Sequence, residues 1–430
     1  MKNRTVRALA AAGLIALALS ANGQAAQGPI PVEIVESDGS YQLLRGGEPY
    51  EIHGAGLEFS DISVFASHGG NSFRTWRTDN AAQLLDEAHE HGVTILMCIE
   101  IGRERHGFDY DDEAAVAAQL EFARQEVLKY KDHPALLGWI IGNEPNLNFR
   151  NPKVFDAIND ISKMIHEVDP NHPTTTALAG ISEELYGLMR QRASDLDFIS
   201  IQMYGDIINL PRYVKKIGLE GPYMVTEWGA IGHWEVGRTE WGAPIEQNST
   251  DKAANYRKSW EVAIASDPDQ IIGAYVFLWG QKQERTPTWY GMQLADGSKT
   301  ETIDVMQNIW TGAWPENRTP QVTSLRLDRK KAESNITLKA GAEYTAETTG
   351  SDPEGDELTY RWEVMRESKA TQTGGDKEQI PETLDEAIVA AGGPSATVRA
   401  PNEPGAYRLF VYVYDGHGSA GHANIPFRVK

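Results

Sequence analysis

With a single cysteine in 430 residues, Cys98, the chain has no second thiol for an internal disulfide, a Cys-rich metal site or a redox pair. The simplest place for Cys98 is a buried strand. Basic residues are scarce as well: 40 Lys and Arg face 61 Asp and Glu, for a formal net charge of -21. Nucleic acid is excluded as a partner, because a phosphate backbone is held by Lys and Arg that displace its counterions. Beyond the first residues, no apolar run approaches the roughly 18 residues of a membrane-spanning helix. The phosphate-cradling Gly-x-x-x-x-Gly-Lys, the Gly-x-Ser-x-Gly elbow and His-Glu-x-x-His are all missing, and the chemistries they carry are missing with them. His89-Glu90-His91 closes an expected helix and reads as a solvated cluster rather than a metal set. Neither a cofactor nor a resident metal is expected.

The N-terminus has a pattern of its own. Lys2, Arg4 and Arg7 precede an apolar run over 8–19, and small residues follow at Gly23 and Ala25. Residues 1–25 therefore read as a secretory signal peptide, and the expected location is the periplasm or the medium. No cysteine follows the run, so no lipid is attached there. Residues 26–50 read as a β-hairpin turning at Ser37-Asp38-Gly39-Ser40.

From 51 to 311, short runs rich in Val, Ile and aromatics alternate with amphipathic stretches. The runs cover 51–57, 71–76, 93–101, 136–143, 173–180, 196–204, 223–228 and 271–279. Their nearly continuous apolar character suits strands covered on both faces of a parallel sheet. Helices start at Asp79/Asn80, at Asp111/Asp112 and after Asn151-Pro152. Eight strands alternating with helices over this length predict an α/β fold, a (β/α)8 barrel, with a doubly wound sheet as the alternative. Residues 312–322 read as a linker, and 323–430 as a small immunoglobulin-like all-β sandwich, in which Leu358, Tyr360, Trp362 and Val364 alternate with polar residues. Within it, 367–381 reads as a mobile polar loop. The acidic turn Ser351-Asp352-Pro353-Glu354-Gly355-Asp356 reads as solvated, with Ca2+ as the alternative.

In such a barrel the C-terminal ends of all strands open on one face, so polar residues ending apolar strands are the candidates for chemistry. The fourth strand ends Gly142-Asn143-Glu144-Pro145, and the seventh ends Thr226-Glu227-Trp228-Gly229. Strands four and seven lie across the mouth from one another. Two carboxyl groups facing over a cleft are what glycosidic cleavage needs, one to protonate the leaving oxygen and one to attack the sugar carbon or activate water.

With these motifs, residues 51–311 resemble the retaining glycoside hydrolases whose (β/α)8 barrels carry catalytic Glu at the ends of strands four and seven, as in cellulase-like and β-galactosidase/β-glucuronidase-like domains. The resemblance implies Glu144 as general acid/base, Glu227 as nucleophile and Asn143 as donor to the sugar 2-hydroxyl. Arg74 matches the arginine beside the nucleophile, the alternative being a surface pair with Asp79. Tyr204 matches the tyrosine that hydrogen-bonds the nucleophile. Trp279 resembles the platform under the sugar, the alternative being barrel-core packing. The chain departs from the pattern where several of these families have His: it has Gln202 on strand six and Glu100 ending strand three.

Long loops after strands seven and eight hold Trp228, Trp234, Trp241, Trp289 and Tyr290, and aromatic faces stack on the C–H faces of sugar rings. With Glu100, these tryptophans complete the expected substrate-binding set. The expected function is retaining hydrolysis of a β-linked polysaccharide or oligosaccharide, a β-glucan for preference, since a negative surface repels polyanions. The alternatives are a transglycosylase using the same two Glu and a noncatalytic glycan-binding protein.

Overall fold

The computed structural model describes residues 28–430 except Phe59 and Thr373, so the signal peptide read on 1–25 lies outside the described residues. Eight parallel strands close into a barrel: β4 (Gly54–Leu57), β5 (Ser72–Arg74), β6 (Thr94–Ile99), β7 (Leu136–Asn143), β8 (Thr174–Ala179), β9 (Ile199–Gln202), β10 (Tyr223–Gly229) and β11 (Ile271–Trp279), with β11 pairing back onto β4. Every residue of β6, β7 and β10 is buried, as both-face coverage demands. The outer cover is α1 (Ile62–Ser67), α2 (Ala81–Glu90), α3 (Glu113–Tyr130), α4 (Lys153–Val168), α5 (Glu183–Arg192), α6 (Leu210–Ile217), α7 (Ser249–Ser259) and α8 (Glu301–Thr311). Asp112 caps α3 by accepting from the amides of Ala114 and Ala115. Asn80 does not cap α2: it sits at φ 58 and its side chain makes no cap bond.

A second cluster fills the barrel interior, with Leu96, Cys98, Ile140, Ala177, Met224 and Tyr275 among its members. Burial pushes the Cys98 thiol up to about 11, so it is an inert core residue. This layer needs a floor. It is supplied by β1 (Val32–Ser37), β2 (Ser40–Arg45) and β3 (Glu48–Pro49), an antiparallel ribbon whose Val32 and Leu43 join the cluster. The amides of Val32 and Tyr41 donate to the carbonyls of Asn171 and Asp269, which precede β8 and β11, so the ribbon covers the N-terminal end of the barrel.

The C-terminal module is a β-sandwich. One sheet orders β12 (Gln321–Leu327), β14 (Glu343–Ser351), β17 (Ser395–Arg399) and β16 (Ile388–Gly392). The other orders β13 (Thr337–Leu338), β19 (Ala420–Val429), β18 (Gly405–Tyr414) and β15 (Thr359–Arg366). β12 starts inside the segment expected as linker, because Gln321 and Val322 already pair with Ser351 and Gly350. Trp362, Val364, Leu409 and Val411 lie in the module's core. The opposite face of β18 packs on the barrel's loops, where Phe410 and Tyr412 meet Leu294. Among the described residues, no helix is long and apolar enough to cross a membrane.

A buried carboxylate joins the two domains. Glu246, in the loop after β10, accepts from Lys252 at 2.5 Å, Thr286 at 2.6 Å, Thr288 at 2.9 Å and Asn424 of β19 at 2.6 Å. Burial alone would raise this carboxyl, but the Lys252 ammonium and the hydroxyl donors hold it down at about 2. Its contribution to stability is therefore complete above the unfolded value of 4.5 and is lost as pH falls towards 2. Replacing Lys252 with Met strands a buried charge and should cost about 3–5 kcal/mol near neutral pH. In chemical denaturation at stepped pH, that deficit should shrink on acidification, because protonation discharges the unpaired Glu246.

Candidate active site

The strand ends converge on an open cleft of about 1150 Å3 at the C-terminal mouth of the barrel, lined among others by Trp76, Asn143, Glu144, Tyr204, Glu227 and Tyr290. β5 ends in Arg74, which is fully buried, and β10 carries Glu227. Three donors converge on the Glu227 carboxylate. Arg74 Nη1 and Trp76 Nε1 donate to Oε1 at 3.1 and 2.8 Å, and the Tyr204 hydroxyl donates to Oε2 at 2.8 Å. Burial and the adjacent Glu227 push the Tyr204 phenol well up, so it stays a donor. Such contacts fix both oxygens in direction as well as place.

Arg74 also organises Asn143. Its Nη2 donates to Asn143 Oδ1 at 2.9 Å, and Gln202 Nε2 donates to the same oxygen at 2.8 Å. With Oδ1 taken twice, Nδ2 is the atom left for a bound molecule. Gln202, where the resemblance implies histidine, thus orients Asn143.

Glu144 is placed by a turn. Gly142 has φ 76, and a Cβ there would lie 2.6 Å from Ile101. Glu144 itself takes φ 50, a left-handed conformation uncommon for residues other than glycine and found at sites that re-aim a side chain. Its amide is anchored to the Ala177 carbonyl at 2.8 Å. Among the described residues no hydrogen bond reaches its carboxyl. Burial, and then the like charge of Glu227, push Glu144 up to about 7 against the pull of Arg105, Arg103 and Arg74. One carboxyl held by three donors and one left without a donor and raised is an arrangement suited to a nucleophile and an acid.

Of the other expected residues, Glu100 and Trp234 line the cleft. Trp234 is 55% exposed and meets Tyr204 edge-on at 5.5 Å. Four expected tryptophans do not line it. Trp279 is fully buried, stacked on Trp310 of α8 and edge-on to Phe65 of α1, so its packing alternative holds. Trp228 points outward onto Tyr256 and Trp260. Trp289 is buried and donates to the Ile231 carbonyl, and Trp241 lies under Arg428 of the sandwich. Arg74 pairs with Glu227 rather than Asp79, which Arg77 takes. Trp76, which the sequence does not single out, stands two residues past the end of β5. Residues 374–380 of the sandwich also line the cleft. This segment was expected as a mobile polar loop, and nothing in its sequence pointed to the barrel.

Residues 54–240 match the family model "Glycosyl hydrolases family 2, TIM barrel domain". Among curated proteins, the β-glucuronidase of Pongo abelii is 22% identical over 150 residues, covering 31% of this chain and 22% of that protein. A probable mannan endo-1,4-β-mannosidase C of Aspergillus terreus is 27% identical over 99 residues, covering 20% and 24%. The chain thus spans about a quarter of the length of these curated relatives. Among solved structures, Faecalibacterium prausnitzii β-glucuronidase superposes with a TM-score of 0.52 at 17% identity, over 65% of this chain and 52% of that one. That likeness is one of fold.

The electrostatic coupling of the two carboxyls can be read directly. In Glu227→Gln the like charge is gone, so the Glu144 pKa should fall from about 7 towards 4.5 while burial keeps it above that value. NMR titration of the Glu144 carboxyl carbon would show it, and an unmoved value would mean that the two groups do not sense each other.

Proposed function

From a glycoside hydrolase barrel of this kind, we propose that the chain is a retaining β-glycoside hydrolase, and the observation that carries the proposal is the asymmetry between Glu144 and Glu227. Glu227, gripped by Arg74, Trp76 and Tyr204, attacks the anomeric carbon while Glu144 protonates the departing oxygen. The glycosyl-enzyme is then opened by water, from which Glu144 takes a proton, and the anomeric configuration is retained. Asn143 Nδ2 donates to the hydroxyl beside the reacting carbon, a contact that strengthens as charge develops. The exposed face of Trp234 beside Tyr204 stacks on a sugar ring.

For the substrate, we favour a neutral β-linked glycan, a β-glucan before a glucuronide. Seven Asp and Glu side chains line the cleft, six of them besides the raised Glu144, against four Lys and Arg. Three of the four cations already face a carboxylate: Arg77 meets Glu58 at 2.5 Å, Lys282 meets Glu284 at 3.1 Å, and Arg103 lies 3.8 Å from Asp376. The fourth, Lys377, is exposed. A sugar carboxylate would enter a site whose charge opposes it and three of whose four cations are engaged. The leader-like N-terminus favours a place outside the cytoplasm.

Glu227→Gln should lower kcat on aryl β-glycosides by about 10^3-fold or more in a protein whose far-UV circular dichroism stays that of the folded wild type, since removing a nucleophile removes the covalent route. Retention is checked by following the anomeric proton of the first-formed product. Glu144 must be protonated to act as acid, so kcat/KM should fall as pH rises through about 7, and Glu144→Gln should abolish that limb. The cradle can be loosened from behind: a Cβ at Gly56 would lie 2.7 Å from the Trp76 ring. Gly56→Ala and Trp76→Phe should therefore each reduce kcat about 10- to 100-fold, the worth of one charge-assisted hydrogen bond.

A further inference from the structure

The C-terminal sandwich does more than pack beside the barrel. The arm between β15 and β16 leaves the module, crosses to the barrel mouth and returns, and its residues 374–380 face the same cleft as Glu144 and Glu227. Its base is fixed by Glu367, which takes two bonds from the buried Arg408 at 2.7 and 3.0 Å.

Its far end is held on two sides. On one, Asp376 accepts from His106 at 3.0 Å and lies 3.8 Å from both Arg103 and Arg105, all in the loop after β6. On the other, Lys282 donates to the Gly375 carbonyl at 2.7 Å, Arg285 Nη2 donates to the Gln372 carbonyl at 3.0 Å, and the Arg285 amide donates to Glu378 at 2.7 Å. These belong to the loop after β11. In the ring of strands, β11 and β6 are separated by β4 and β5, so the arm spans the sector of the mouth above those two strands. Glu58, Trp76 and Arg77, which follow β4 and β5, line the cleft in that sector.

The approach is close enough to need glycine. Gly374 and Gly375 take φ 64 and 72. A Cβ on Gly374 would lie 2.8 Å from Arg105 and 2.9 Å from Leu147, and one on Gly375 would lie 2.8 Å from Lys282. Leu147 is three residues beyond Glu144, so the arm reaches the flank of the acid/base strand. The Arg105 guanidinium is buried beneath it with no hydrogen bond among the described residues, and its charge is met only by the Asp376 carboxylate at salt-bridge range.

A groove that admits the middle of a polymer must be open at both ends. We propose that the arm closes one end of this cleft, so that the enzyme takes short β-linked oligosaccharides and chain ends rather than internal bonds of a long glycan. The arm is a specificity element: it supplies no group to the reacting atoms. This inference rests on the hydrolase reading above and adds the mode of attack.

The test compares the wild type with two variants, one with 374–379 shortened to Gly-Gly and one with Asp376→Ala and Glu378→Ala, which keeps the arm but frees its anchors. Each is given a graded series of β-linked oligosaccharides and a long soluble β-glucan. The wild type should release sugar from the glucan with little loss of viscosity. Both variants should lose about tenfold in kcat/KM on the shortest substrates and gain about tenfold in viscosity loss per bond cleaved. Internal cleavage by the wild type, or unchanged product sizes in both variants, would overturn the proposal. The catalytic reading fails separately, by activity surviving Glu227→Gln. In that event, calorimetry of oligosaccharide binding with and without the arm decides the inference alone: equal affinity for short ligands sinks it, and about tenfold weaker binding without the arm upholds it.

Discussion

Closing eight parallel strands into a ring forces every C-terminal end to one mouth, and the site depends on that constraint. Arg74 and Glu227, 153 positions apart, become bonded neighbours because β5 and β10 both finish there. The same constraint makes Arg74 affordable only in company. A guanidinium with no exposed surface carries a large desolvation cost, offset here by the Glu227 carboxylate, the Asn143 amide oxygen and its own neighbour's carbonyl. Arg74 is thus at once a core residue and the organiser of two groups that face the cleft. Losing it would leave a buried acid without its cation and an asparagine without its orientation.

The two carboxyls differ because their surroundings differ, not because their chemistry does. Glu227 lies within β10, where neighbouring strand ends bring three donors to it. Glu144 lies one residue past β7, on a left-handed turn that lifts it off the sheet and away from any donor among the described residues. Burial therefore acts on Glu144 unopposed except by cations at longer range, and the like charge of Glu227 adds to it. Fixing one carboxyl by hydrogen bonds raises the other through space. Roles separate without any residue dedicated to separating them.

The strand ends were legible from sequence because burial on both faces gives β7 and β10 unbroken apolar runs, and a polar residue ending such a run has few other reasons to be there. Which side of the strand an aromatic occupies was harder to read. Neighbours on a strand point to opposite faces, so if Glu227 faces the mouth then Trp228 must face the helices. That inference was available from the sequence. Trp279 was not open to the same rule, because the pairing of β11 with β4 shifts register between Val276 and Trp279. There, strict alternation would have carried Trp279 to the same side as Phe277, which lines the cleft. Trp76 fell between these cases, placed by a short strand that ends at Arg74 and a turn with no signature.

The part of the cleft built by the sandwich was not legible at all, and the reason is general. A loop's sequence records what makes it soluble, while its position depends on the surface against which its domain docks. The dock does leave a trace in the strands. β18 is buried on both faces over most of its length, although an exposed sandwich should alternate. Phe410 and Tyr412 point away from the sandwich core and towards Leu294. A strand with apolar residues on both faces, as from Leu409 to Val413, in a small all-β module already implies a second covered face. With that face against the loops after β10 and β11, the arm rooted at Glu367 extends over the barrel mouth. The cations awaiting it there, in the loops after β6 and β11, are what the acidic residues of the arm are matched to.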